Sequence, residues 1–438
     1  MTIQLSRRRF LAVSGAGMAA AVAGCYPFMT GDWHHRESAK LAHGETIVLN
    51  KDLFLGYPIN MTTPPDEFFS WREQLFDAGI NRFAFNNVGN PYLESPIPFN
   101  THDFEREVIQ RFAQLYGFPA DDNWGFISHS GTDSNMHGMY MGRTILTGRT
   151  GLTPKVYFTR EAHYSIQILR DLLGMEAVQV ETLPDGGMDS ADLARCLAAN
   201  SDRPVLVVAT VGTTFKGAID NIDNIQHALQ GLESYLHLDA ALFGGYLPHT
   251  EFASEVIHQT PGPAKKQRYD SIAVSCHKFF GFPSPAGLFI TRKKLYQYFT
   301  EQFSRIHNPE YIHHVPGTIT CSRDAVKPAE FHFFSTDLAF SKQSADAGRI
   351  LTFTRELLRQ MQSHLPQWQA TRANDASNTV YFKKPSAAIV KKYSLATMNL
   401  AAKSGPASYA HVVVMPHVTN QIITEFLSDL ESDTTHSS

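Results

Sequence analysis

From Lys155 to Arg292 the chain alternates between short runs of branched apolar residues and stretches whose apolar residues keep a helical period. "KVYFT" (155–159), "AVQVETL" (177–183), "PVLVVATVG" (204–212), "YLHLDAALF" (235–243), "SIAVS" (271–275) and "AGLFITR" (286–292) read as strands. Between them "HYSIQILRDLLG", "SADLARCLAAN" and the segment from Ile222 to Leu232 read as helices. Strands that are apolar nearly throughout are buried on both faces, and helices between successive strands are the crossovers a parallel sheet requires. The predicted class is therefore α/β, a mostly parallel sheet covered by helices, with its functional site at the carboxyl ends of the strands. Upstream, Phe104, Val108, Phe112 and Leu115 keep a helical period behind Thr101 or Asp103 as a cap. Trp124 to Ile127 is a short apolar stretch, and Asp133 to Ile145 is helix-like. Towards the C-terminus, helical patterning near Ile350 to Met361 gives way to "NTVYF", "AHVVVMP" and a last helix from Thr419 to Leu430. This predicts a small C-terminal α+β domain at 324–438, a large domain at 101–323 and an N-terminal arm at 25–100.

The first 24 residues stand outside this pattern. Ser6-Arg7-Arg8-Arg9-Phe10-Leu11 resembles the twin-arginine export motif. Leu11 to Gly24 is mildly apolar and too short for a good membrane span. It ends in Val22-Ala23-Gly24-Cys25, which resembles a bacterial lipobox whose cysteine takes the lipid. The expectation is a signal peptide at 1–24 and a periplasmic protein that meets the membrane only through a lipid anchor on Cys25. A cleaved form without lipid is the alternative. Twin-arginine export carries folded proteins, so a cofactor would be loaded beforehand.

With 438 residues, 43% of them hydrophobic, the chain can bury one large domain and a small one. A net charge of −4 and the lack of a basic stripe argue against a nucleic-acid partner. Four cysteines form no CxxC pair, and the doublets His34–His35 and His313–His314 are not a ligand pattern, so no metal is expected.

Four segments place polar residues at strand ends or helix starts. "SHSGTDSN" (128–135) offers Ser130, Gly131 and Thr132 where a helix opens, an arrangement that suits an anion. "REAHYS" places His163 at the start of a helix. "HLDAALFGG" puts Asp239 at the end of an apolar strand with tiny Ala240 and Ala241 behind it, where a carboxylate is costly without a cationic partner. "SCHKFFGFP" ends the next strand with Lys278, a cation that either snorkels to water or is held for chemistry. Taken singly, the turn is a helix cap and the histidine a cap or surface residue. Together they match the needs of pyridoxal phosphate: a lysine to bond its aldehyde, an aspartate for its ring nitrogen, a phosphate cradle, and a flat and a small partner for the ring faces.

The wording of these stretches is familiar as well. "FNNVGNPY", "DFEREVIQRFAQLYG", "AHYSIQ", "VGTTFKGAIDNI", "HLDAALFGG", "SCHKFFGFPSPAGLFITR", "EYIHH", "TITCSR" and "AHVVVMP" resemble the fold-type-I pyridoxal-phosphate decarboxylases of group II, in the branch of bacterial histidine decarboxylase and plant serine decarboxylase. The resemblance runs from about Gly56 to Leu430. It implies that Lys278 bonds the cofactor, Asp239 holds the ring nitrogen protonated, and His163 stacks on the ring and contacts substrate. Ser130, Gly131 and Thr132 fall on the phosphate cradle, Ser275 and His277 on further phosphate ligands, and Thr213 and Ala241 on the ring pocket. It also implies a homodimer whose sites draw on both subunits, and a lid including Tyr311, His313 and His314, with Tyr311 either the acid that reprotonates Cα or a packing aromatic. The expected activity is decarboxylation of an amino acid in the manner of histidine decarboxylase. Serine or another small amino acid, or aminotransferase or lyase chemistry, is the alternative, and a non-catalytic envelope scaffold is the other class.

Several stretches depart from relatives. "SCHK" stands for "SGHK", "TCSRDAV" for "TGSRNGH", "HSGTDSN" for "NGGTEGN", and His313-His314-Val315-Pro316 for "SAHD" or "ASRD". These changes leave the substrate open. Cys276 and Cys321 stand where close relatives carry glycine, and in an oxidising compartment they are the natural pair for a disulfide, within a chain or across the dimer. The alternative is two small residues filling space.

Overall fold

The computed structural model describes residues 51–438 except 261, 263–265, 307, 401–406 and 435–438. The twin-arginine segment and Cys25 lie outside the described residues. Helices α1 (Asp66–Asp77), α2 (His102–Leu115), α3 (Gly131–Thr150), α4 (Tyr164–Leu172), α5 (Ser190–Ala199), α6 (Ile222–Ala228) and α7 (Lys293–Phe303) accompany strands β1 (Trp124–Ser128), β2 (Lys155–Thr159), β3 (Ala177–Val180), β4 (Val205–Thr210), β5 (Ser234–Asp239), β6 (Ser271–Ser275) and β7 (Gly287–Thr291). Then follow α8 (Val326–Phe331), α9 (Asp337–His364), β8 (Thr379–Lys383), α10 (Ala387–Lys392), β9 (Ala396–Leu400), β10 (Ala407–Val413) and α11 (Asn420–Ser432).

The first seven strands form one sheet in the order β1-β7-β6-β5-β4-β2-β3. Strands β2 to β6 pair in parallel, while β7 runs antiparallel to both β6 and β1. The α/β class and the mostly parallel sheet are as predicted. Burial on both faces is visible residue by residue in β4. Val205, Val207 and Ala209 join one apolar cluster with Phe112, Leu193 and Ile225 of α2, α5 and α6. Leu206 and Val208 join another with Ile145, Ile166 and Phe299 of α3, α4 and α7. Each such valine, leucine or isoleucine side chain, fully buried, contributes about 1.5–3 kcal/mol. Strands β8, β10 and β9 form a separate antiparallel sheet. It is backed by α11, whose Phe426 packs on Phe382 at 5.9 Å.

Element ends differ from the sequence reading for physical reasons. β5 stops at Asp239, not Phe243, because the chain tightens at once into turns, with Gly244 N donating to Ala240 O at 2.8 Å. The apolar "AALF" reflects burial of a turn. α9 starts well before Ile350, through a polar stretch that shows no apolar period. β9 was not foreseen, since its central side chains are exposed. Thr101 is the N-cap residue of α2, yet its hydroxyl donates to Ala325 O at 2.6 Å instead of capping the helix.

One buried ion pair sets where β1 delivers the chain to α3. Arg323 of the "TCSRDAV" segment pairs with Glu105 of α2, and its guanidinium lies 5.1 Å from the centre of the Phe126 ring. Glu105 in turn accepts Ile127 N at 2.8 Å and Asn87 Nδ2 at 3.2 Å. Buried pairs of this kind are costly to break because the survivor is left unpaired.

Candidate active site

The carboxyl ends of β4, β5 and β6 and the N-termini of α3 and α4 enclose a cavity of about 230 Å³. Its position at the strand ends is the one the sheet type requires.

One end of the cavity is built for an anion. Ser130 caps α3, accepting Asp133 N at 3.3 Å, while Asp133 accepts His129 N at 2.9 Å. The first-turn N–H groups of such a helix lack intrahelical acceptors and carry the positive end of its dipole. Gly131 is required by close approach: a Cβ there would fall 2.4 Å from Ser275 Oγ. Ser275 and His277 complete this wall, and His277 Nδ1 is buried with no protein partner. Burial, then the nearby Lys278, lowers the His277 pKa.

Elsewhere in the cavity an amine and a carboxylate face common space. Asp239 is 3% exposed, and its Oδ1 accepts Ala241 N at 3.2 Å. Lys278 follows the end of β6. Phe279 and Phe280 behind it are buried in the main core cluster, which anchors the lysine's backbone. An N-terminal strap fixes it from the other side: Asn60 N donates to Lys278 O at 3.2 Å and Asn60 Nδ2 to Phe279 O at 2.9 Å. Burial lowers the Lys278 pKa, and Asp239 opposes that shift without forming an ion pair. The aromatics after the lysine are thus its foundation, and its side chain is half-buried along the cavity wall. His163 caps α4; its Nδ1 accepts Ser165 N at 3.3 Å and lies 2.7 Å from Ser165 Oγ. The neutral ring therefore carries its proton on Nε2. Burial first, and Lys278 second, lower the His163 pKa against the pull of Asp239.

Ser130, Gly131, Thr132, His163, Asp239, Ala241, Ser275, His277 and Lys278 thus converge on one cavity. Two predicted residues do not. Thr213 turns its hydroxyl to accept Ala218 N at 2.9 Å, and its neighbours Gly212 and Thr214 line the cavity instead. Tyr311 lies in a short turn and is 77% exposed, away from the cavity of its own chain. The Cys276–Cys321 bond is also absent. Both thiols are free, Cys276 is buried in the apolar core, and Cys321 is exposed. A partner subunit could not reach Cys276 either, because its own chain covers it completely.

Sequence reading missed Asn135 and Thr210, which line the cavity, and the buried polar side chains behind Asn135. His237 Nε2 lies 2.9 Å from Asn135 Oδ1, His237 Nδ1 lies 2.7 Å from Ser271 Oγ, and Tyr235 OH donates to Ser271 Oγ at 2.8 Å. Burial pushes the His237 pKa down to about 3, so its ring is neutral. A signal was present. In "YLHLD" and "SIAVS" polar or small residues alternate with apolar ones, which puts Tyr235, His237 and Asp239 on one face of β5 and Ser271 and Ser275 on one face of β6.

Residues 86–325 match the model of the pyridoxal-dependent decarboxylase conserved domain. Histidine decarboxylase of Solanum lycopersicum is 31% identical, over 88% of this chain and 86% of the relative. Serine decarboxylase 1 of Oryza sativa subsp. japonica is also 31% identical, over 86% of this chain and 71% of the relative. Among solved structures, L-methionine decarboxylase from Streptomyces sp.590 superposes with a TM-score of 0.78 at 23% identity, covering 93% of this chain and 96% of that one.

Proposed function

This chain belongs to the pyridoxal-dependent decarboxylase family, and from that premise we propose that it removes the carboxylate of histidine as carbon dioxide, with serine as the competing substrate. The enzyme class, a pyridoxal-phosphate-dependent amino acid carboxy-lyase, follows from the family itself. Histidine and serine are the substrates in the names of the relatives at 31% identity. The observation that carries the reading is the convergence of Lys278, Asp239, His163 and the α3 N-terminus on one cavity.

The residues present fit the cofactor. The cradle at Gly131 has no room for a Cβ, the His277 Nδ1 beside it is unpartnered, and a carboxylate and an amine of lowered pKa share the same space. When bound, pyridoxal phosphate supplies an electrophilic aldehyde and a conjugated ring that accepts the electron pair left as carbon dioxide departs. The α3 N-terminus with Ser130, Thr132, Ser275 and His277 would hold its phosphate, and Asp239 its ring nitrogen. Burial lowers the Lys278 pKa, which favours the neutral amine that a nucleophilic Nζ needs. His163, neutral with its proton on Nε2, forms a wall and offers a donor there. The strap at Asn60 keeps Lys278 in register with this set.

We place the enzyme outside the cytoplasm, exported through the segment Ser6–Leu11 and tethered by lipid on Cys25, and we place it in a homodimer whose partner completes the site's mouth with the Tyr311 loop. Arg7→Lys with Arg8→Lys should retain the protein in the cytoplasm, and Cys25→Ala should abolish lipid labelling. The substrate test is release of carbon dioxide from a panel of amino acids. Histidine should give the highest kcat/KM. Release from serine alone would reassign the substrate, and amino-group transfer without carbon dioxide would overturn the reading.

A further inference from the structure

Helix α3 lies directly on the polar stripe of β5. A Cβ at Gly138 would fall 2.4 Å from the His237 ring, and one at Gly142 would fall 2.6 Å from Tyr235 Cδ1. Glycine weakens a helix interior, so two of them here are spent on seating these side chains. Tyr235, His237, Ser271 and Asn135 are each at most 2% exposed, and such buried polarity persists when it is mutually satisfied.

The hydrogen bonds have one consistent sense. Asn135 Oδ1 only accepts, so His237 Nε2 carries the hydrogen and Nδ1 of the neutral ring accepts from Ser271. The Ser271 oxygen accepts from Tyr235 OH. In this sense every hydrogen of the chain finds an acceptor. The opposite sense, from Asn135 through His237 and Ser271 to Tyr235, would need Ser271 to donate to Tyr235, the reverse of the bond observed, and the tyrosine hydroxyl to hand its hydrogen on to Thr291. The end of the chain is the Asn135 NH2 group, which has no acceptor within the described protein and belongs to a residue of the cavity wall.

We propose that Asn135 is a cofactor-positioning residue: the buried series Tyr235–Ser271–His237 fixes its amide so that the NH2 end, not the carbonyl end, faces the cavity and donates to an anionic oxygen of bound pyridoxal phosphate. His237 thereby acts on the cofactor without touching it. The inference rests on the cofactor assignment above. It differs from the helix-end cradle because a side-chain amide can present either end, and the buried series anchored at Tyr235 decides which.

The test is titration of pyridoxal phosphate into cofactor-stripped full-length protein, followed by tryptophan fluorescence, for wild type, Asn135→Leu, His237→Phe and the double variant. Each single variant should raise Kd about tenfold, and the double variant no further than Asn135→Leu alone, since the pair acts as one unit. A purely structural role would lower the unfolding temperature of the stripped protein and leave Kd unchanged, which overturns the proposal, as do additive effects. Should His237→Phe fail to fold, Asn135→Leu at the cavity wall decides alone: Kd within twofold of wild type overturns it. Parallel titration with inorganic phosphate separates the two kinds of oxygen. A weakened Kd for phosphate places the donor on the phosphate group, and an unchanged one places it on the ring oxygen. Wild type that takes up no pyridoxal phosphate would instead sink the cofactor assignment.

Discussion

The two faces of β5 and β6 are made from the same residues in alternation and do opposite work. On one face Leu236, Leu238, Ile272 and Val274 are at most 1% exposed and belong to the main core cluster. On the other, Tyr235, His237, Asp239, Ser271 and Ser275 are at most 3% exposed, yet they carry hydrogen bonds or line the cavity under α3. A strand thus supports the fold and the chemistry at once, and parity alone decides which residue serves which. A one-residue slip in register would exchange the two sets, which is why the parallel ladder, locked by apolar side chains on one side, is itself part of the site.

The comparison breaks most visibly at Lys278. Lys278→Ala should reduce carbon dioxide release to background while leaving thermal unfolding of the stripped protein close to wild type, because the lysine is held against its own charge. Next, the core face: Leu238→Ala should cost about 2–5 kcal/mol in denaturant unfolding and shift cofactor Kd less than twofold. Ser275→Ala, on the other face, should show the reverse, an unfolding free energy within about 1 kcal/mol of wild type and a Kd raised about tenfold. If both substitutions move both quantities alike, the division by face is wrong. Gly131→Ala sharpens the same contrast. Its methyl group would intrude on Ser275 Oγ, so cofactor uptake should fall more than stability does.

Near neutral pH the smallest effect is expected at His137, which lies in α3 against Phe289 and Phe126 with both ring nitrogens unpartnered. Burial, then the charge of Arg323, pushes its pKa from 6.5 down to about 3. The unfolded chain therefore binds this proton near pH 6.5 and the folded chain only near pH 3, so the histidine's contribution is present above 6.5 and lost as pH falls through that window. His137→Phe should flatten the acid side of the stability profile by up to about 1.4 kcal/mol per pH unit. An unchanged acid slope would contradict the buried neutral state.

Much of this was legible because parallel strands announce themselves as apolar runs. All six strands read between Lys155 and Arg292 exist, and the motifs at their ends meet in space. What escaped had no apolar signature. Strand β9 is exposed, the start of α9 is polar, and Asp239 ends β5 inside a run whose later residues are buried in turns. Asn135 escaped because its role depends on His237, Ser271 and Tyr235, which lie far from it in sequence and meet it only once α3 rests on β5 and β6. Thr213 stands one residue from the cavity wall, since a turn that bonds its hydroxyl to Ala218 N leaves Gly212 and Thr214 lining it.

The central claim is that Lys278 is the residue to which pyridoxal phosphate is bonded. Borohydride reduction of the loaded enzyme followed by peptide mass mapping tests it directly. The account predicts a single reduced pyridoxyl adduct on the peptide carrying "SCHKFFGFP", at Lys278, in near-stoichiometric yield. An adduct on another lysine, or none on an enzyme that still releases carbon dioxide, would contradict it.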